Sequence, residues 1–228
     1  IGGIAFSLGL MLVVIGGAEL FTGNCLIIMG YVSKRITTRE MLNNWTISFM
    51  GNFVGSLTMV CWMYKTHQFD FFHQMVGAKA LLIANTKVGL TFKTALARGV
   101  LCNAMVCLAV WLCFSGRTAA DKILSIVFPI GGFVASGFEH CVANMYFIPM
   151  GIILRKNPEV VAAAEKMAGK ALDFSQLTWR GFFINNLFPV TLGNIVGGVI
   201  LVGIMFWFVY LRPHISFSLN VKQDFFNK

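Results

Sequence analysis

Two carboxylates stand where carboxylates are costly. Glu19 lies in Gly16-Gly17-Ala18-Glu19-Leu20-Phe21-Thr22-Gly23-Asn24, and Glu139 in Ser136-Gly137-Phe138-Glu139-His140-Cys141-Val142-Ala143-Asn144. Both runs interrupt long apolar stretches, and aligned they give the same pattern, Gly-x-Glu-x-x-x-x-Asn. An ionised side chain at membrane depth is a functional candidate by default. The structural alternative is that each Glu accepts hydrogen bonds from N–H groups freed by its own helix break, so that Glu19, Glu139 and Asn144 anchor the loops. His140, beside the second break, can donate, accept or titrate near neutral pH. Within a repeated motif it is expected to face a solute, and Thr22 in the first break could add a hydroxyl from the opposite side. Asn52, Asn103, Asn144 and Asn194 sit in apolar sequence, where amides usually tie backbones together; Asn103 could also face a pore. Phe6, Leu10 and Phe133 lie on the interrupted segments, where apolar side chains either pack or form a constriction that gates by dewetting. Lys87, between hydrophobic segments, would by itself be taken as solvated.

The elements that must position these groups are membrane helices. Of the 228 residues, 57% are hydrophobic and 12% charged, against roughly 25% charged in soluble domains. A bilayer core needs about 20 helical residues. Five stretches qualify: 1–32, 44–64, 98–115, 123–154 and 184–211. The first and fourth are longer than one span, and each is broken near its middle by glycine and a carboxylate. Paired interrupted segments in corresponding halves point to a transport site near the midplane. A second echo, Asn52-Phe53-Val54-Gly55 against Asn194-Ile195-Val196-Gly197, supports an internal duplication. The halves, about 1–64 and 98–211, belong to a single channel domain over 1–228. The second holds three segments and the first only two, so a sixth helix is expected before Ile1. The expected fold is all-α and integral to the membrane, with inverted three-helix repeats and two discontinuous helices, aquaporin-like.

Basic residues are denser in 33–45, 116–122 and the tail from 212 (Lys34, Arg35, Arg39, Arg117, Lys122, Arg212, Lys222, Lys228), which places those segments in the cytoplasm. Between the last two hydrophobic segments one surface helix is predicted, capped by Asn157, with Pro158 at its first position and running to Leu172. The formal charge of +9 is spread over the connections with no dense basic tract, which favours lipid headgroups or an attractive field for anions over nucleic acid. The six cysteines fall in apolar sequence without a CxxC pair, so no metal site or disulfide framework is expected. No Walker loop, HExxH, GxSxG or Rossmann glycine pattern is present; neither enzyme activity nor a cofactor is expected, and there is no NPA pair.

The run Gly17-Ala18-Glu19-Leu20-Phe21-Thr22-Gly23-Asn24 resembles the first broken-helix motif of the formate/nitrite transporter family, and Gly137-Phe138-Glu139-His140-Cys141-Val142-Ala143-Asn144-Met145 the second. Gly99-Val100-Leu101-Cys102-Asn103, Val106 to Trp111, Ser115-Gly116-Arg117 and Pro189 to Asn194 also resemble the family pattern, so the likeness runs from Ile1 to about Arg212. It implies a homopentamer with one pore per subunit, six helices each and cytoplasmic termini, in the cytoplasmic membrane of a bacterium. It implies that Phe6, Leu10 and Phe133 are pore constrictions, that Leu20, Phe21 and Thr22 form the loop breaking the second helix, with Leu20 and Phe21 also at the constriction, and that His140 is the central pore histidine. It also makes Asn103 a pore asparagine and Lys87 an attractor of anions. The solute expected is a small monovalent anion: formate first, then hydrosulfide, nitrite or a short monocarboxylate such as lactate or acetate. A facilitator of water or ammonia is the alternative of another class, and a membrane scaffold or sensor without transport is a third.

Overall fold

The computed structural model describes residues 2–212, and the described residues are helical with short connections. In chain order the helices are α1 (Gly2–Val14), α2 (Phe21–Val32), α3 (Thr38–Lys65), α4 (Met75–Val88), α5 (Phe92–Cys113), α6 (Ala119–Ala135), α7 (Cys141–Leu154), α8 (Pro158–Ala168) and α9 (Gly181–Leu211). Helices α3, α5 and α9 are each long and apolar enough to cross a membrane. The helices of the pairs α1/α2 and α6/α7, at 12 to 17 residues, are shorter than the three full spans. At 1.5 Å per residue the 13 residues of α1 reach only about 20 Å. Lys222 and Lys228, counted above as cytoplasmic, lie outside the described residues.

The interrupted segments break where their sequences place glycine. α1 stops at Val14 and α2 starts at Phe21, while α6 stops at Ala135 and α7 starts at Cys141. Gly17 has φ of +77° and Gly137 of +66°, a left-handed conformation that would cost an L side chain about 1–2 kcal/mol. Elsewhere helix ends follow ordinary capping chemistry. Thr37 and Glu40 form a capping box on α3, and Thr118 and Asp121 do so on α6. Each satisfies two otherwise unpaired main-chain donors.

Two boundaries differ from expectation. The surface helix capped by Asn157 ends at Ala168, four residues short of Leu172, because Gly169 takes φ of +68° and closes it with a left-handed turn. Residues 65–97 are not a plain connection. They hold α4, which packs against α7 and α8 and carries Lys87 in its last turn. Its apolar face (Ala78, Leu81, Ala84, Val88) is fully buried, but at 14 residues it is too short to register as a span.

The core is built on close approach of α5 and α9. A Cβ at Gly193 would lie 2.3 Å from the Leu96 carbonyl oxygen, and one at Gly197 2.0 Å from that of Val100. Small residues let these backbones meet, which is how helices associate when lipid offers no hydrophobic contrast. α5 also packs on α6 and on α2, so it touches both broken segments.

Candidate functional site

Each break frees main-chain donors that hydrocarbon cannot satisfy, and one asparagine on an intact helix meets that need at each. On α3, the Asn52 side chain accepts from Phe21 N–H (2.9 Å) and donates to the Glu19 carbonyl (3.0 Å). On α9, the Asn194 side chain accepts from Cys141 N–H (2.9 Å) and donates to the Glu139 carbonyl (3.0 Å). The glutamates follow the same rule. Asn24 donates to the Glu19 carboxylate and to Asn44, while Asn144 donates to the Glu139 carboxylate and to Asn186. The matched motifs thus make matched bonds. The Phe21 and Cys141 N–H groups go to asparagine oxygens rather than to the carboxylates, which instead receive side-chain amides.

The two glutamates part company beyond this. Glu19 is exposed. Glu139 is buried and receives the Lys87 ammonium at 2.8 Å, with side-chain exposures of 15% for Lys87 and 4% for Glu139. Asn186 reaches the same carboxylate at 3.2 Å and binds the Lys87 carbonyl at 2.9 Å. Lys87 is therefore not a solvated lysine. It is one half of a buried ion pair, because α4 inserts its last turn beside the second break.

His140 is the N-cap of α7. Its Nδ1 accepts the Ala143 N–H at 3.1 Å, and its Nε2 lies 2.9 Å from Thr22 Oγ1. A main-chain N–H can only donate, so Nδ1 carries no proton in this arrangement, and a neutral ring carries its hydrogen on Nε2. Nε2–H then donates to Thr22 Oγ1, leaving the threonine hydroxyl hydrogen as a free donor. Cys107 Sγ steadies the loop by pointing at the Thr22 carbonyl, 3.5 Å away.

Two cavities meet at His140; Thr22, fully buried, lines neither. One of about 380 Å³ is walled by Lys79, Thr86, Lys87, Arg98, Phe138 and Glu139 and reaches Phe6, Phe133 and His140. The other, about 170 Å³, is almost wholly apolar, walled by Gly9, Leu10, Leu20, Val106, Ile130 and Val142, and reaches the same three residues. Between them the rings of Phe6 and Phe133 touch edge to face at 5.4 Å between centroids, and both lie just over 6 Å from the His140 ring. A cavity with charged side chains in its wall, an aromatic constriction backed by a histidine, and an apolar cavity thus follow in series.

Of the residues singled out in the sequence, Phe6, Leu10, Leu20, Phe133, His140 and Lys87 line these cavities, and Thr22 contacts His140 directly. Thr22 itself, Phe21 and Asn103 do not line them, against expectation. The Phe21 ring turns the other way and packs edge-on against Phe49 and Trp45, because successive residues of a helix start point to different sides. Asn103 is fully buried, its amide donating to the Asn194 carbonyl at 2.7 Å. Lys79, Arg98 and Val106 were not anticipated. A basic residue in a connection and a valine in an apolar run carry no signal of their own.

Comparison with known proteins agrees with this geometry. The family model described as formate/nitrite transporter matches residues 1–208. The chain is 45% identical over 216 residues to the formate channel FocA of Escherichia coli (strain K12), covering 94% of this chain and 75% of that protein. It is 40% identical over 224 residues to a probable formate transporter of Methanothermobacter thermautotrophicus, covering 92% and 74%. Among solved structures, a pentameric formate channel with formate bound superposes with a TM-score of 0.80 at 42% identity, covering 92% of this chain and 82% of that one.

Proposed function

Because the chain belongs to the formate/nitrite transporter family, we propose that it forms a homopentamer in the bacterial cytoplasmic membrane, each subunit passing formate along the path through the two cavities. The observation that carries this reading is His140, with Thr22 bonded behind it, at the junction of a cationic and an apolar cavity. Stripping water from an anion is costly unless donors replace it. The edges of Phe6 and Phe133, where aromatic rings are electropositive, and the Thr22 hydroxyl, bonded behind His140, offer replacement beside the junction. The name of the bound relative, a formate channel, ranks formate ahead of nitrite, hydrosulfide and longer monocarboxylates.

The same geometry bears on how charge crosses the apolar cavity. A His140 ring that accepts Ala143 N–H on Nδ1 can lend its Nε2 hydrogen but cannot give it away without becoming an imidazolate. Handing a proton to the anion first requires protonating Nδ1, which breaks the cap of α7. Hydrogen-bonded passage is therefore the resting route, and proton-linked passage requires a shift at the start of α7. Flux into liposomes holding the pentamer, with formate, nitrite and hydrosulfide compared at about pH 7 and about pH 5, tests this. Fast formate flux with a modest pH response is the expected result. Flux that rises steeply at the lower pH would make proton transfer the main route. Absence of flux for all three anions would reject the proposal in favour of a neutral solute.

A further inference from the structure

The lysine implied above to attract anions is the one cation of the wider cavity whose charge is already met. Its ammonium rests 2.8 Å from Glu139 Oε1, and the same carboxylate takes the amides of Asn144 and Asn186 through its other oxygen. To an anion at a distance, the pair is a dipole with no net charge. The walls of the cavity hold two other cations, Lys79 and Arg98. Lys79 is exposed and Arg98 partly so. Among the described residues the ion pairs are His67–Asp70 and Lys87–Glu139, so neither Lys79 nor Arg98 has an acidic partner. Lys79 stands two turns before Lys87 on α4, and Arg98 stands near the start of α5, so the two cations reach the cavity from different helices.

Arg98 is also fixed relative to the second break. Its carbonyl accepts the Glu139 N–H at 3.3 Å, one residue before His140. The side chain hangs from a backbone position tied to the constriction, while its guanidinium makes no hydrogen bond to another described residue. A guanidinium with free donors, set in a cavity that narrows onto the aromatic constriction and His140, suits a small anion with two oxygens.

We propose that Arg98, helped by Lys79, draws the anion into the wider cavity and hands it towards His140 and Thr22, and that Lys87 serves instead as the buried counter-ion that holds Glu139 and the second break in place. This rests on the anion-channel reading above. It predicts a dependence that a structural role does not have. Charges exposed to solvent act over a Debye length of about 30 Å at 0.01 M salt and about 3 Å at 1 M, and such fields raise encounter rates by about 10-fold or more.

The test is initial formate flux at low formate concentration in pentamer-containing liposomes, measured from about 0.01 M to about 1 M ionic strength with a bulky-ion salt. The proteins are the wild type, R98Q, K79Q, the double variant and R98K, each checked for pentamer assembly by size-exclusion chromatography. The wild-type flux should fall as salt rises. R98Q should lose about 3- to 10-fold at the low end and converge on the wild type at the high end, K79Q should lose less, and R98K should recover most of the flux. A loss in R98Q that is equal at both ends of the salt range would make Arg98 structural and overturn the proposal. No loss at any ionic strength would overturn it as well. Wild-type protein with no formate flux would instead overturn the channel reading on which the proposal rests.

Discussion

Thr22 Oγ1 and His140 Nε2 lie 2.9 Å apart although 118 residues separate them in the chain. Each comes from the start of a half-helix, one from each break, and each is steadied by its own loop. The bond therefore couples the two breaks at the point where the two cavities meet.

If the threonine hydroxyl is the free donor at the constriction, Thr22→Val should cut formate flux by about 10-fold or more, since a lost hydrogen bond to a charged group is worth about 1.5–3 kcal/mol. Thr22→Ser should retain most of it. Liposome flux checks both, and the thermal stability of the pentamer separates a lost donor from a lost fold.

Buried ion pairs punish the loss of one partner more than the loss of both. Lys87→Met alone should destabilise by about 3–5 kcal/mol, because Glu139 would be left buried with only amides for company. Adding Glu139→Gln should restore a large part of that loss. Unfolding midpoints of the two single variants and the double variant give the coupling energy directly, and additive effects would mean that the pair does not interact in the membrane.

The two asparagine clamps should differ in cost. Asn194 is fully buried and binds Gly99 O at 2.8 Å in addition to both sides of its break, whereas the Asn52 bond to Glu19 O is exposed. Asn194→Ala should therefore lower stability by about 3 kcal/mol or more and Asn52→Ala by about 1 kcal/mol, since all the Asn194 bonds are buried whereas water reaches part of the Asn52 pair. Heating each variant in detergent and following pentamer loss would rank them.

Glycines in contact and glycines facing the cavity should respond oppositely. Gly9 lines the apolar cavity, and a Cβ there would meet nothing within 4 Å. Gly9→Val should leave the protein stable while slowing flux by narrowing the cavity. Gly193→Ala would press on the Leu96 carbonyl and should destabilise by about 1–3 kcal/mol. Paired measurements of flux and thermal stability on both variants distinguish the two effects.

What the sequence by itself determined is what hydrocarbon enforces locally. A charge-free run of about 20 residues is a span whatever its neighbours do, so α3, α5 and α9 were legible, with ends shifted by a few residues. A glycine and a glutamate inside such a run mark a place where the helix cannot continue, so both breaks were legible too, with His140 and Thr22 beside them, whereas Phe6, Leu10, Leu20 and Phe133 were named as constrictions only through the family resemblance. Helix α4 was not, because a half-length helix with two lysines has the composition of a connection.

Partnership was decided only by the tertiary structure. That Asn52 and Asn194, on intact helices, would take the freed N–H groups depends on which face of α3 and α9 meets each break. That Lys87 would be neutralised by Glu139, 52 residues away, depends on α4 folding inward beside α7. The family resemblance placed Phe21 at the constriction and Asn103 in the pore, but a turn of 100° per helical residue sends adjacent side chains to different surroundings. In lipid the identity of a span is a local property of composition, while the pairing of its polar groups is set by packing among distant helices, and the pathway is built from those pairings.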